Sequence, residues 1–329
     1  MPVADLVLEG GGVKLPGLIG AIDALAEAPD PYSFNRIAGA SAGAIVGALV
    51  SAGASVESMK ATVLRQDFTK FQDLPPWSRF TPWLGKGLGL IFHKGMYRND
   101  ALHAFLTAAL ATHGVHTWSD LRQDDPDSSL PPERRYRLVV IVSDVSRGRM
   151  LRLPWDYRPQ LGLDPDTQPV ADAVCASAAI PFFFRPVKLP ANPAVVGHRS
   201  VLCVDGGLLS NFPVGIFDRT DSAPARWPTF GIKLSGRETA RTGWRSNRNT
   251  VEFAVSLLTT LINARDRIHI DNPEVAARTT FVDTSDFSST DFDLSQQDKL
   301  LLFENGLRAG RKFLSTWDWQ RWKDTYRPR

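Results

Sequence analysis

Three short clusters in this chain carry side chains and backbone groups suited to attack on a carbonyl. The first is Gly39-Ala40-Ser41-Ala42-Gly43, a G-x-S-x-G pentapeptide. Glycines two residues either side of a serine permit a tight turn that presents the hydroxyl at the start of a helix. That end of a helix also favours the negative charge that develops when an alkoxide attacks. The same five residues would equally suit a small-residue helix packed close on a sheet, so alone they leave both readings open. The second cluster is Gly10-Gly11-Gly12-Val13-Lys14. Three glycines can turn backbone N–H groups into a cavity, where they would stabilise an oxyanion. A plain tight turn and a nucleotide-binding loop are the rivals. The nucleotide reading fits poorly, because G-x-G-x-x-G counted from Gly10 needs glycine at Leu15, and a P-loop counted from Gly12 needs lysine at Leu18. The third cluster is Val204-Asp205-Gly206-Gly207, where a carboxylate could take a hydroxyl proton or orient a base. Alone it reads as an ordinary Asp-Gly turn.

Each cluster needs an element to hold it. Leu6-Val7-Leu8 is a short apolar strand leading into the glycines, and Leu18, Ile22 and Leu25 mark one face of the helix that follows. Pro16 fits the first turn of that helix, where its missing N–H costs nothing. Arg36-Ile37-Ala38 is a strand running into Gly39, and residues 42–52 form a helix rich in small side chains. Val201-Leu202-Cys203-Val204 is the strand that ends at Asp205. Further strands are expected at 136–142, 150–153, 230–234 and 280–282, with helices at 99–112 and 250–267, the latter marked by Val251, Val255, Leu258 and Ile262. Residues 74–95 hold prolines, glycines, Trp77 and Trp83 with little periodicity, and read as an irregular loop or lid. Strands alternating with helices predict an α/β fold with a sheet sandwiched by helices. No linker divides the chain, so residues 1–329 are expected to form one domain.

Composition removes several function classes. Hydrophobic residues at 43% and charged residues at 22% are values of a soluble globular protein. The net charge of +3 is too small for a nucleic-acid face, though it suits anionic headgroups. Cys175 and Cys203 sit in apolar runs and read as core residues. His93, His103, His113, His116, His198 and His269 form no HExxH pattern, so neither a metal nor another cofactor is expected. A strand within five residues of Met1 leaves no leader segment, and no apolar run approaches the ~20 residues needed to span a bilayer. A cytoplasmic location is the expectation.

Taken in order, GGGxK, G-x-S-x-G and DGG resemble the patatin-like phospholipase family. Residues 176–187, Ala-Ser-Ala-Ala-Ile-Pro-Phe-Phe-Phe-Arg-Pro-Val, are similar to the segment these enzymes carry before the aspartate. The resemblance spans residues 6–214. It implies a lipid acyl hydrolase with a mostly parallel three-layer fold, a Ser41–Asp205 dyad and oxyanion donors from Gly10, Gly11 and Gly12. It also implies an acyl-lipid substrate and peripheral contact with membranes. One departure stands out: Leu15 and Pro16 follow Lys14 where the family usually has glycine. Lys14 reads equally as a source of positive potential near an oxyanion or lipid phosphate and as a solvated lysine. Phe182-Phe183-Phe184 reads first as core and second as an acyl-pocket wall, and the tryptophan-rich 317–323 as an amphipathic helix docked on the body. Two alternatives stay open: an esterase with a Ser41–Asp205–His269 triad, and a non-catalytic lipid- or nucleotide-binding module.

Overall fold

The computed structural model of the chain describes residues 1–74, 87, 89–90, 92–219, 221, 223–234, 253–254, 257, 260–261 and 272–326. The chain runs through β1 (Val3–Leu8), α1 (Leu15–Ala26), β2 (Ser33–Gly39), α2 (Ala42–Ser51), α3 (Val56–Arg65), β3 (Gly95–Tyr97), α4 (Asp100–Ala111), β4 (Leu138–Asp144) and β5 (Arg149–Leu153). It continues through α5 (Val170–Ser177), β6 (Phe182–Phe184), β7 (Val187–Pro190), β8 (Ser200–Asp205), β9 (Thr229–Lys233), β10 (Thr279–Phe281), α6 (Gln296–Leu314) and α7 (Trp319–Tyr326). Each apolar run read as a strand forms one.

Five strands in the order β10-β9-β1-β2-β4 lie parallel. β8 and β5 both pair antiparallel with β4, and β7 pairs antiparallel with β8. The sheet is therefore mostly parallel, as the α/β reading expects. β4 and β9 are buried at every position. Successive strand side chains point to opposite faces, so both faces of the sheet are covered. α2 packs on β1, β2 and β4, α5 packs on β4, β7 and β8, and α6 lies along α1. The α1–α6 crossing is close: a Cβ on Gly306 would sit 2.1 Å from the Gly17 carbonyl oxygen. β3 and β6 form a separate parallel pair.

The C-terminal tryptophans dock on the body, as expected. Trp317 stacks on Phe313 at 5.4 Å and meets Phe230 edge-on at 5.0 Å, while Trp322 is buried. Most of the 74–95 stretch, including Trp77 and Trp83, lies outside the described residues. So do Val251, Val255, Leu258, Ile262 and His269.

Candidate active site

β2 delivers Ser41 to α2 through a turn that only a narrow set of residues can make. Ser41 has φ 50° and ψ −122°, a conformation L-residues avoid, at a cost on the order of 1–3 kcal/mol. The flanking glycines are required by contact. A Cβ on Gly39 would lie 2.3 Å from the Gly43 carbonyl oxygen, and one on Gly43 would lie 2.3 Å from that of Leu8. Although Ser41 occupies the N-cap of α2, its hydroxyl makes no capping bond. Its amide is held instead: the Ser41 N–H donates to Ser177 Oγ at 2.9 Å.

Asp205 reaches the same place from another part of the chain. Val140 of β4 pairs with both Gly39 of β2 and Leu153 of β5. Val142 pairs with both Asp205 of β8 and Leu151 of β5. A strand has two edges, so β2 and β8 share one of them and β5 takes the other. The C-terminal ends of β2 and β8 thus meet tip to tip, with only Ile141 between their registers. The Ser41 hydroxyl lies near enough to the Asp205 carboxylate to lower its proton affinity, and that carboxylate accepts the Gly207 N–H at 2.7 Å. Burial pushes the Asp205 carboxyl up to about 6, against the opposing pull of the Ser41 hydroxyl and the Gly207 N–H. A carboxylate with that affinity can accept a proton near neutral pH.

The glycine turn lies beside them. A Cβ on Gly10 would be 3.0 Å from Ser41 Cβ, so the turn passes directly over the Ser41 side chain. Gly12 adopts φ +57°. The Gly10 N–H donates to the Asn211 carbonyl at 3.3 Å, and the Val13 N–H donates to the Ser289 carbonyl at 3.2 Å. Lys14 donates from Nζ to Thr284 Oγ1 at 3.3 Å, which ties it to the segment after β10.

Glu9, Lys233 and Asn211 were not singled out by sequence reasoning as a unit, yet they brace this turn. Glu9 and Lys233 form a buried ion pair, and Glu9 Oε2 accepts the Leu234 N–H at 2.5 Å. Asn211 donates from Nδ2 to Glu9 Oε1 and to the Gly10 carbonyl, each at 3.3 Å. A glutamate directly before three glycines, and an asparagine soon after Asp-Gly-Gly, were the available signals.

A small cavity of about 40 Å³ opens at Ser41 and Gly12. Its walls are apolar: Ile45, Phe68, Phe71, Leu102, Phe184 and Phe292. Of the three consecutive phenylalanines, Phe183 and Phe184 are buried, as the core reading expects, and Phe184 also walls the cavity. Phe182 is exposed. Cys175 and Cys203 are buried free thiols, and burial pushes both up to about 12, which leaves them unreactive. Among the described residues no group of three His, Cys, Asp or Glu could hold a metal ion. Among them also no helix is long and apolar enough to cross a membrane.

Residues 6–218 match the family model described as patatin-like phospholipase. The chain belongs to the patatin-like phospholipase family. It is thereby a member of a family of lipid hydrolases. The patatin-like match stops at 218, whereas β9 and β10 of the same sheet lie beyond it. YqhO of Bacillus subtilis is 34% identical over 313 residues, covering 95% of this chain and 98% of YqhO. Protein R571 of Acanthamoeba polyphaga mimivirus is 22% identical over 315 residues, covering 93% of this chain and 92% of R571. Among solved structures, VipD from Legionella pneumophila aligns with a TM-score of 0.49 at 16% identity, covering 95% of this chain and 67% of VipD. The type III effector ExoU, from Pseudomonas aeruginosa, aligns with a TM-score of 0.47 at 15% identity, covering 98% of this chain. The chain spans about half the length of ExoU, 54%.

Proposed function

We propose that this patatin-like chain is a serine acyl hydrolase of lipid esters, with Ser41 as nucleophile and Asp205 as its base. The observation that carries this is the strained Ser41 placed beside a buried carboxylate that is raised to about 6. Asp205 takes the hydroxyl proton as Ser41 Oγ attacks the ester carbonyl, giving a tetrahedral oxyanion. Backbone N–H groups of the glycine turn hold that charge. The Gly10 amide already serves Asn211, so the role falls on Gly11 and Gly12. Lys14, anchored on Thr284, contributes positive potential to the same loop. Collapse expels the alcohol or lysolipid, which receives the proton from Asp205. Water then attacks the acyl carbonyl as Asp205 takes its proton, and Asp205 returns that proton to Ser41 Oγ as the C–Oγ bond breaks and the fatty acid leaves.

The apolar cavity at Ser41 supports an acyl chain as the group that binds there. Its volume has room for a few heavy atoms, so most of a fatty chain must lie along the surface. Phe92, 71% exposed, and exposed Phe253, Leu257 and Leu261 support contact with aggregated lipid. β9 and β10 complete the sheet beside β1, which supports one catalytic unit over the whole chain. The Ser41–Asp205–His269 triad is the second reading. A serine hydroxyl that neighbours the carboxylate directly favours the dyad, since a triad places an imidazole between them. A binding module has no use for a strained serine on a buried base.

The test is mass spectrometry of products after incubation with a mixed phospholipid extract. Free fatty acid and lysolipid should accumulate with wild type and be absent with Ser41→Ala and Asp205→Asn. Products that persist in folded Ser41→Ala would overturn the assignment.

A further inference from the structure

We infer that Ser177, the last residue of α5, is a positioning residue that holds Ser41 in its strained turn and so sets its approach to Asp205. The inference rests on the reading of Ser41 as nucleophile. Ser177 is fully buried, and its hydroxyl has one proton and one role for each side of the oxygen. It donates to the Ile141 carbonyl at 2.6 Å and accepts the Ser41 N–H at 2.9 Å.

Ile141 is the residue between the registers of β2 and β8 on β4, since Gly39 pairs with Val140 and Asp205 with Val142. The end of β8 also closes on that carbonyl: a Cβ on Gly206 would lie 2.1 Å from the Ile141 oxygen. Ser177 therefore fastens the nucleophile's backbone to the point where both arms of the dyad converge. Helix α5 is itself tied to Asp205, whose N–H donates to the Ala179 carbonyl at 2.9 Å just beyond the helix end. Two bonds from one short segment, residues 177–179, thus reach the two members of the dyad. The Ser41 amide is also engaged, so it is not an oxyanion donor, and the glycine turn carries that task.

Removing the hydroxyl leaves the Ser41 N–H and the Ile141 carbonyl without their partner and frees the turn to relax. Small misplacements of reacting groups are costly in rate, about 100-fold for an ångström. Ser177→Ala should therefore stay folded by circular dichroism and lower kcat on a soluble p-nitrophenyl ester about 10- to 100-fold, with KM little changed. The Ser41 hydroxyl lowers the Asp205 carboxyl against its burial, so moving that hydroxyl away shifts the acid limb of the pH–rate profile upward from about 6. Ser177→Thr, which keeps the hydroxyl, should return the limb to the wild-type position. Where Ser177→Ala aggregates, the near-isosteric Ser177→Cys is read in the same way.

A folded Ser177→Ala (or Ser177→Cys) with wild-type kcat and an unmoved limb overturns the positioning role. A kcat loss that disappears when rates are divided by phosphonate-titrated active sites does so too, because it reduces Ser177 to a packing residue. If the phosphonate labels a serine other than Ser41 in wild type, the dyad reading fails first and independently.

Discussion

Gly39 and Asp205 lie two registers apart along one edge of β4, opposite Val140 and Val142. Their strands approach from opposite directions, β2 parallel to β4 and β8 antiparallel. A serine two residues beyond Gly39 is thereby delivered to a carboxylate that ends its own strand. The proximity of Ser41 and Asp205, 164 positions distant in the chain, is a consequence of sheet register before it is one of side-chain contacts.

Asp205 is held up to about 6 chiefly by burial, and this has two measurable effects. To act as the proposed base Asp205 must be ionised, so kcat/KM should fall about tenfold per pH unit below about 6. The stability effect has the opposite sign from that of a salt-bridged aspartate. The folded state keeps this proton to higher pH than the unfolded state, whose carboxyl has the ordinary value of 3.8. Stability contributed by the protonated group is present below 3.8 and lost as pH rises through about 6. Asp205→Asn should therefore be inactive yet more stable than wild type at pH 7, by on the order of 1–3 kcal/mol. Urea titrations at pH 7 and pH 4 check this, and the advantage should shrink at the lower pH.

Gly43 lies where α2 passes closest to β1, with the Leu8 carbonyl oxygen 2.3 Å and the Glu9 carbonyl oxygen 2.8 Å from a would-be Cβ. Both obstacles are backbone, so Gly43→Ala should cost about 1–3 kcal/mol through overpacking. It should also push the helix that begins at Ser41 off the glycine turn and lower kcat about tenfold or more. Thermal melts and ester hydrolysis on the same sample check both.

The Glu9–Lys233 pair is buried on both sides. Lys233→Met should destabilise by about 3–5 kcal/mol, because it strands a carboxylate in the interior. Adding Glu9→Gln should recover part of that loss while leaving the acceptor for Leu234. A double-mutant cycle in urea measures the coupling, and additive losses would mean the pair is not linked.

Phe71 walls the cavity beside Ser41. Phe71→Val should enlarge it and shift chain-length preference toward longer acyl groups. Each methylene newly housed contributes ~0.8 kcal/mol, so the ratio of kcat/KM for octanoyl over butyryl esters should rise at least about fourfold. An unchanged ratio would place the acyl chain elsewhere.

Legibility in the sequence followed the range of the interactions. Long apolar runs such as Leu138–Asp144 declare buried strands, and the glycines around Ser41 declare a turn, because burial and sterics act locally. The strands Gly95–Tyr97, Phe182–Phe184 and Val187–Pro190 are not legible in the sequence, being three or four residues long and either opened by glycine or preceded by proline. The bounds of helix α6 are not legible in the sequence, since Gly306 and Gly310 interrupt its apolar pattern. Its start was nonetheless marked by the Ser295–Asp298 capping box. The braces were illegible for another reason: Lys233 acts on Glu9, and Ser177 acts on Ser41, across long stretches of chain that only the folded sheet brings together. The Gly10 amide, which the glycine run alone offers as an oxyanion donor, instead serves the Asn211 carbonyl.

The central claim, Ser41 as the covalent nucleophile, is tested most directly by mapping the adduct of a fluorophosphonate. Wild-type protein shown to hydrolyse esters would be treated with the probe, digested and sequenced by tandem mass spectrometry. The account predicts a single modified peptide carrying the label on Ser41, with labelling abolished in Ser41→Ala and slowed in Asp205→Asn. A label on any other serine, or unlabelled protein that still turns over esters, would contradict it.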